Sequence, residues 1–197
     1  MIGNPINIGG IPLPSDTPLF LTLIAIHIAA GLVCVVAGAV AMLSRKAPGR
    51  HPRAGAVYYW ALAVVFVTML LIGLSRWEED YHLVILGVLS FLVATLGRRA
   101  RRKLWPRWAR LHMAGMSASY ILLLTAFYVD NGPNLQLWRL LPTVAFWLLP
   151  TLIGAPILVY ALQRHPLVRP PSSRLSPETE MLKRIAERLR EHRSHQR

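Results

Sequence analysis

Acidic residues are scarce in this chain: nine Asp and Glu stand against 22 Lys and Arg in 197 residues. None of the nine lies within a long apolar run, so the buried carboxylate on which a proton-coupled transporter usually relies is missing. Cysteine is almost absent. The single Cys34 excludes an intramolecular disulfide and a cysteine-based metal cage, and it reads as a small buried residue. Charged residues make up only 16% of the chain and hydrophobic residues 54%, too little polar surface for a soluble domain of this length. No Gly-x-Ser-x-Gly frame surrounds Ser90, Ser117 or Ser119, which leaves conventional hydrolase chemistry without support.

What the chain does have is long apolar runs. Five can be read: Pro18 to Leu43, Ala54 to Leu74, Tyr81 to Gly97, Leu111 to Val129 and Leu140 to Leu162. A membrane-spanning helix needs about 20 apolar residues, so the fold class is all-α, a polytopic bundle of five transmembrane helices. The short third run is expected to continue backward through "RWEED". Pro142, Pro150 and Pro156 predict a kinked fifth helix. The N-terminal segment, residues 1–17, lacks the basic n-region of a cleavable signal, so the first run reads as an uncleaved anchor.

The basic residues set the topology. Residues 44–53 carry four Lys or Arg, residues 98–110 carry seven and the tail from Gln163 carries nine, whereas the opposite side has only Arg76 and Arg139. The positive-inside rule then puts the N-terminus outside and the C-terminus in the cytoplasm, as for a multi-pass protein of a bacterial inner membrane. The net charge of +13 is therefore not a sign of nucleic acid. "GRRARRKLWPRWAR" reads as a topology determinant that binds anionic lipid, and the six tryptophans as an interfacial belt. After the bundle (18–162), residues 163–175 read as a linker and 176–197 as an amphipathic basic helix. Ser176 is its N-cap, Leu182, Ile185 and Leu189 form its apolar stripe, and Glu180 is paired with Arg184. Such a helix suits either the anionic leaflet or docking to a protein partner or to its own bundle.

Four of the seven histidines stand in or beside spans: His27, His51, His82 and His112. "HIAAGLVCVVAGAVAMLSRK" leads to "RHPRAGAVYYW", and "HLVILGVLSFLVATLGRR" leads to "RLHMAGMSASY". Each half has an outer histidine, an apolar run, a basic inner loop, a second histidine and a glycine, with Tyr58 and Tyr120 in roughly matching places. This is the pattern of a parallel duplication of a helical hairpin. Paired by depth, His27 with His82 and His51 with His112 suit axial ligation of two b-type haems between facing helices. Gly31 and Gly55, one turn beyond His27 and His51, would leave room for the flat ring. Arg50, Arg53, Arg107 and Arg110 would neutralise haem propionates on the inner side. His27 lies about 5 Å outward of mid-span and His82 roughly 12 Å. Pro52 makes His51 look like a cap at headgroup level, so the outer pair is the better-placed one.

On "IHIAAGLVCVVAGAV", "GRHPRAGAVYYW" and "RLHMAGMSASY", the chain resembles a bacterial family of membrane proteins known as a domain of unknown function, over roughly Leu19 to Leu162. More distantly, the alternating histidines are similar to transmembrane dihaem b-type cytochromes of the ascorbate-reducible type. That resemblance implies haem b on the two histidine pairs and electron transfer between partners on the two sides, such as a quinone or a redox protein. No ascorbate-site motif is recognisable. Simpler readings exist for each histidine: His27 as polar glue between helices, His51 and His112 as interfacial residues, and His82 as the end of an external loop. Two further functions compete. One is a metal-dependent membrane enzyme or transporter, with zinc or copper on His82 and Glu78, Glu79 or Asp80. The other is a non-catalytic accessory subunit that docks through the C-terminal helix. The topology predicts that alkaline phosphatase fused after Asp130 is active and that a fluorescent protein fused after Gln163 fluoresces. The opposite pattern of reporters would invert the orientation.

Overall fold

The computed structural model describes residues 6–8, 11–13, 17–45, 48–136, 138–165, 168, 179–182, 184, 185 and 187. Five helices make up nearly all of it: α1 (Pro18–Leu43), α2 (Arg50–Ser75), α3 (Trp77–Arg102), α4 (Trp108–Asn131) and α5 (Thr143–Arg164). All five are long and apolar enough to cross a membrane. The first three have 26 residues each, or about 39 Å at 1.5 Å per residue, more than the ~30 Å hydrocarbon core. Every expected span is present, and most are longer at both ends than the apolar runs suggest.

The helix ends follow from local chemistry. Pro18 opens α1, where a missing N–H costs nothing. Gly49, at φ 116°, makes the sharp entry into α2, a conformation that side chains strongly resist. A single residue, Arg76, separates α2 from α3. Its guanidinium pairs with Glu79 and, at 3.4 Å, with Asp80. Glu78, Glu79 and Asp80 fill the first turn of α3 and Arg99, Arg101 and Arg102 its last, each charge at the favourable end of the helix dipole. The backward extension through "RWEED" is thus realised as helix. Arg107, in the left-handed region at φ 59°, turns the chain into α4. Pro142 stands just before α5 instead of within it, while Pro150 and Pro156 lie inside the helix.

The helices pair first as hairpins, α1 with α2 and α3 with α4. α2 lies against α3, α5 packs on α4, and α1 barely touches α4. Ahead of α1, Ile6–Ile8 (β1) and Ile11–Leu13 (β2) form a small antiparallel hairpin with Ile6 opposite Leu13. The sequence analysis assigned no element there. The signal was present, since Gly9-Gly10 between two short apolar strands is a two-residue hairpin pattern. Of the C-terminal helix, residues 179–182, 184, 185 and 187 are described. They are helical and exposed, and Arg184 reaches Glu180 at 3.9 Å. Ser176, Leu189 and most of the 163–175 linker lie outside the described residues.

Small residues let the helices meet. A methyl group added at Gly115 would stand 2.6 Å from the Val93 carbonyl oxygen, and one at Gly97 would stand 3.3 Å from the Gly115 Cα. The backbones of α3 and α4 therefore touch, the usual basis of helix association in lipid. At Gly38 the space is taken by the rings of Tyr120 and Tyr58. The core formed by Cys34, Ala37, Tyr58, Leu62, Val65 and Ala94 lies at this level, with Tyr120, Met116 and Leu123 packed against it. By contrast, nothing lies within 4 Å of a methyl group added at Gly31 or Gly55. Gly115→Val is therefore expected to lower stability in micelles by about 1–3 kcal/mol, the usual cost of overpacking, while Gly31→Ala should change it little. Equal effects in an unfolding titration of both variants would contradict this packing.

Candidate functional site

The hydrogen bonds of three histidines define their tautomers. His51 Nδ1 lies 2.8 Å from the Ala41 carbonyl oxygen of α1, and His112 Nδ1 lies 3.1 Å from the Gly97 carbonyl oxygen of α3. A carbonyl only accepts, so both Nδ1 atoms carry the proton and, in the neutral ring, Nε2 carries the lone pair. His27 Nδ1 is 2.9 Å from Thr68 Oγ1 on α2. Thr68 gives its one proton to the Val64 and Val65 carbonyls, at 2.8 and 3.0 Å, so its oxygen accepts from His27. His82 differs. It makes no hydrogen bond to a described residue and packs against rings, Tyr81 at 5.5 Å and Trp147 of α5 at 5.8 Å.

The structure thus brings together one of the two expected pairs. The rings of His51 and His112 meet with their centroids 6.5 Å apart and their planes at 89°. His27 and His82 share no contact, because His27 is held by α2 and His82 is turned toward α5. This reverses the expectation that the outer pair is the better placed. His51 is not the cap; Gly49 is, and α2 begins at Arg50. His51 consequently sits within the first turn, half-buried, in reach of both α1 and α4. Depth along a single span does not fix which neighbouring helix a ring faces.

Two turns farther along α2 and α4 the same faces meet again. Buried Tyr58 and Ser119 share a hydrogen bond of 2.8 Å between their hydroxyl groups. Cys34 Sγ lies 3.6 Å from the Tyr58 carbonyl oxygen, and Ser90 Oγ donates to the Ser119 carbonyl oxygen at 2.8 Å. Tyr120 donates to the Val35 carbonyl oxygen of α1 at 3.0 Å, and Tyr59 meets Thr95 of α3 at 3.2 Å. Thr68, Ser90 and Ser119 carried no functional expectation. Their signal was polar side chains in apolar runs, which need a partner in lipid. Arg50, Arg53, Arg107 and Arg110 are exposed near the His51–His112 end, and none pairs with a carboxylate of a described residue.

Of the three carboxylates expected beside His82, Glu79 and Asp80 are engaged with Arg76. Asp130, at the end of α4, lies near enough to feel the charges of Asp80, Arg76 and His82 and joins this group. Among the described residues no three His, Cys, Asp or Glu side chains converge as a metal site would require. Comparison with family models, curated proteins and solved structures finds no match to this chain. The functional reading therefore rests on these residues themselves.

The His27–Thr68 bond is the simplest part of this arrangement to test. In a double-mutant cycle with His27→Ala and Thr68→Val, the coupling is expected at about 0.6 kcal/mol, the average for such bonds between membrane helices. A coupling of zero in reversible unfolding would remove the bond from the structure.

Proposed function

We propose that this chain is a multi-pass membrane protein that carries electrons through one b-type haem held by His51 and His112. The single observation behind this reading is the meeting of these two imidazoles, each fixed by its Nδ1–H on a backbone carbonyl of the preceding helix. Two metal–nitrogen bonds of about 2 Å plus the two ring radii span roughly 6 Å, close to the observed separation. Backbone acceptors of this kind are what orient ligating histidines and fix Nε2 as the donor to a metal.

The surrounding residues suit the group. Gly55, one turn beyond His51, leaves open space where a side chain would stand. Arg50, Arg53, Arg107 and Arg110, which pair with no carboxylate of a described residue, provide positive charge for two propionates. A bis-imidazole haem supplies one-electron transfer without an open coordination position. The chain's own contribution is to hold the two rings, fix their tautomers and balance the anionic edge. The electron partner at the basic end is a quinone or a redox protein. The orientation follows the basic loops, with the C-terminus and the histidine pair on the cytoplasmic side of a bacterial inner membrane.

A duplicated hairpin accounts for the pairing. About a two-fold axis, a residue can touch its own counterpart only at the axis. His51 with His112, and Tyr58 with Ser119, are two such encounters at the same register. In this register the counterpart of Tyr120 is Tyr59 and not Tyr58. Tyr59 reaches from α2 to α3 as Tyr120 reaches from α4 to α1. One haem replaces the two that the resemblance implied, since His27 and His82 are apart.

Absorption spectroscopy tests this reading. Protein purified from haem-supplied cells is expected to show a Soret band that His51→Ala or His112→Ala abolishes. His27→Ala and His82→Ala should leave the band in place. A wild-type sample with no Soret band would sink the proposal.

A further inference from the structure

A second site lies on the flank of the bundle, between α2 and α3. Tyr59, Trp60, Thr95, Arg98, Arg99 and Arg102 line a cleft of about 250 Å³. Its floor is aromatic. The Arg98 guanidinium sits over the Tyr59 ring, 4.4 Å from the centroid, and 5.9 Å from that of Trp60. Tyr59 is itself braced by Phe91, stacked at 5.8 Å, and by its hydroxyl contact with Thr95. Arg98 and Arg102 are one helical turn apart and so share a face of α3, with Arg99 beside them.

Three guanidinium groups converge here, and none pairs with a carboxylate of a described residue. No acidic residue occurs anywhere from residue 81 to residue 129, so the α3–α4 turn offers no counter-ion either. Such a cluster repels itself unless an anion joins it. The planar forks of arginine match phosphate oxygens in pairs, and the indole N–H of Trp60 and the Thr95 hydroxyl are further donors. The shared chemistry of the ligand is therefore a phosphate group.

Its source is read from the surface below. Trp60 is 64% exposed, and from it Val64, Val67 and Leu71 run along α2 beside Leu92 and Leu96 of α3, all exposed and apolar. A phosphate seated on the arginines would leave acyl chains lying along this stripe. The apolar run of α3 ends at Gly97, so Arg98 stands at headgroup depth. We propose that the cleft binds the headgroup phosphate of an anionic phospholipid from the leaflet on the basic side, as a defined site on the protein. This inference rests on the membrane-spanning fold and not on the haem, so either can fail alone.

Native mass spectrometry of the full-length protein tests it, with titration by phosphatidylglycerol, by phosphatidylcholine of the same chains, and by inorganic phosphate. Wild type is expected to retain phosphatidylglycerol in clear preference to phosphatidylcholine. At about 1 kcal/mol per basic residue near a membrane surface, R98A with R102A should weaken phosphatidylglycerol binding roughly thirtyfold, and exposed R102Q alone about fivefold. R102Q keeps the test available if the double variant does not fold. Equal retention of the two lipids by wild type would overturn the anionic headgroup. Undiminished binding by R102Q would overturn the site, and phosphate binding as tightly as phosphatidylglycerol would overturn the lipid as its source.

Discussion

A polar group left without a partner in hydrocarbon costs several kcal/mol, and the arrangement of this bundle answers to that constraint. Among the described residues no buried side-chain nitrogen or oxygen lacks a hydrogen bond. The solutions are of two kinds. Thr68 and Thr125 turn back onto carbonyls of their own helices, at 2.8 and 2.9 Å. His27, His51, Ser90, His112 and Tyr120 instead reach a neighbouring helix. Only the second kind specifies the fold, because each such bond selects a partner helix and a depth. The hairpins α1–α2 and α3–α4 are each fastened in this way near the basic end, by His51 on Ala41 and by His112 on Gly97.

Packing follows from the same medium. With lipid on the outside, apolar surface gives no preference for one helix over another, and shape must decide. Large apolar residues such as Leu32, Leu71, Leu92 and Ile157 face outward, while the interior mixes small residues such as Cys34, Ala37, Ala94, Ser90 and Ser119 with Tyr58, Leu62 and Val65. The Gly97–Gly115 approach draws α3 onto α4, and Gly132 and Gly154 admit Phe146 of α5 and Ile121 of α4 in turn. Tyr58 and Tyr120 fill the centre, with ring centroids 6.0 Å apart, so the middle of the bundle is occupied. The histidine pair lies beyond them, toward the end where Gly55 leaves space.

Much of this was legible in the residues. Run length gave the five helices, and three of the four histidines singled out in the sequence, His27, His51 and His112, bond a neighbouring helix. The errors have identifiable causes. His51 was read as a cap because Pro52 follows it, yet Gly49 with its positive φ takes that position and frees His51 to reach inward. His82 was paired with His27 by depth, but α5 supplies Trp147 to cover it, and a long-range contact of that kind leaves no periodic trace. Arg98 was read as part of a basic loop that sets topology and binds anionic lipid, with no seat for its side chain. Its seat on Tyr59 depends on α2 and α3 lying side by side.

Sequence by itself determined that the chain is a five-helix membrane bundle, because crossing a bilayer is a matter of length, hydropathy and charge placement along one dimension. It also determined which polar residues had to find partners, since the cost of leaving them unpaired does not depend on the fold. Which partner each one found was decided by the tertiary structure alone. Partner choice turns on close approaches between helices far apart in the chain, set by a few glycines and by the rings that enter the spaces they leave.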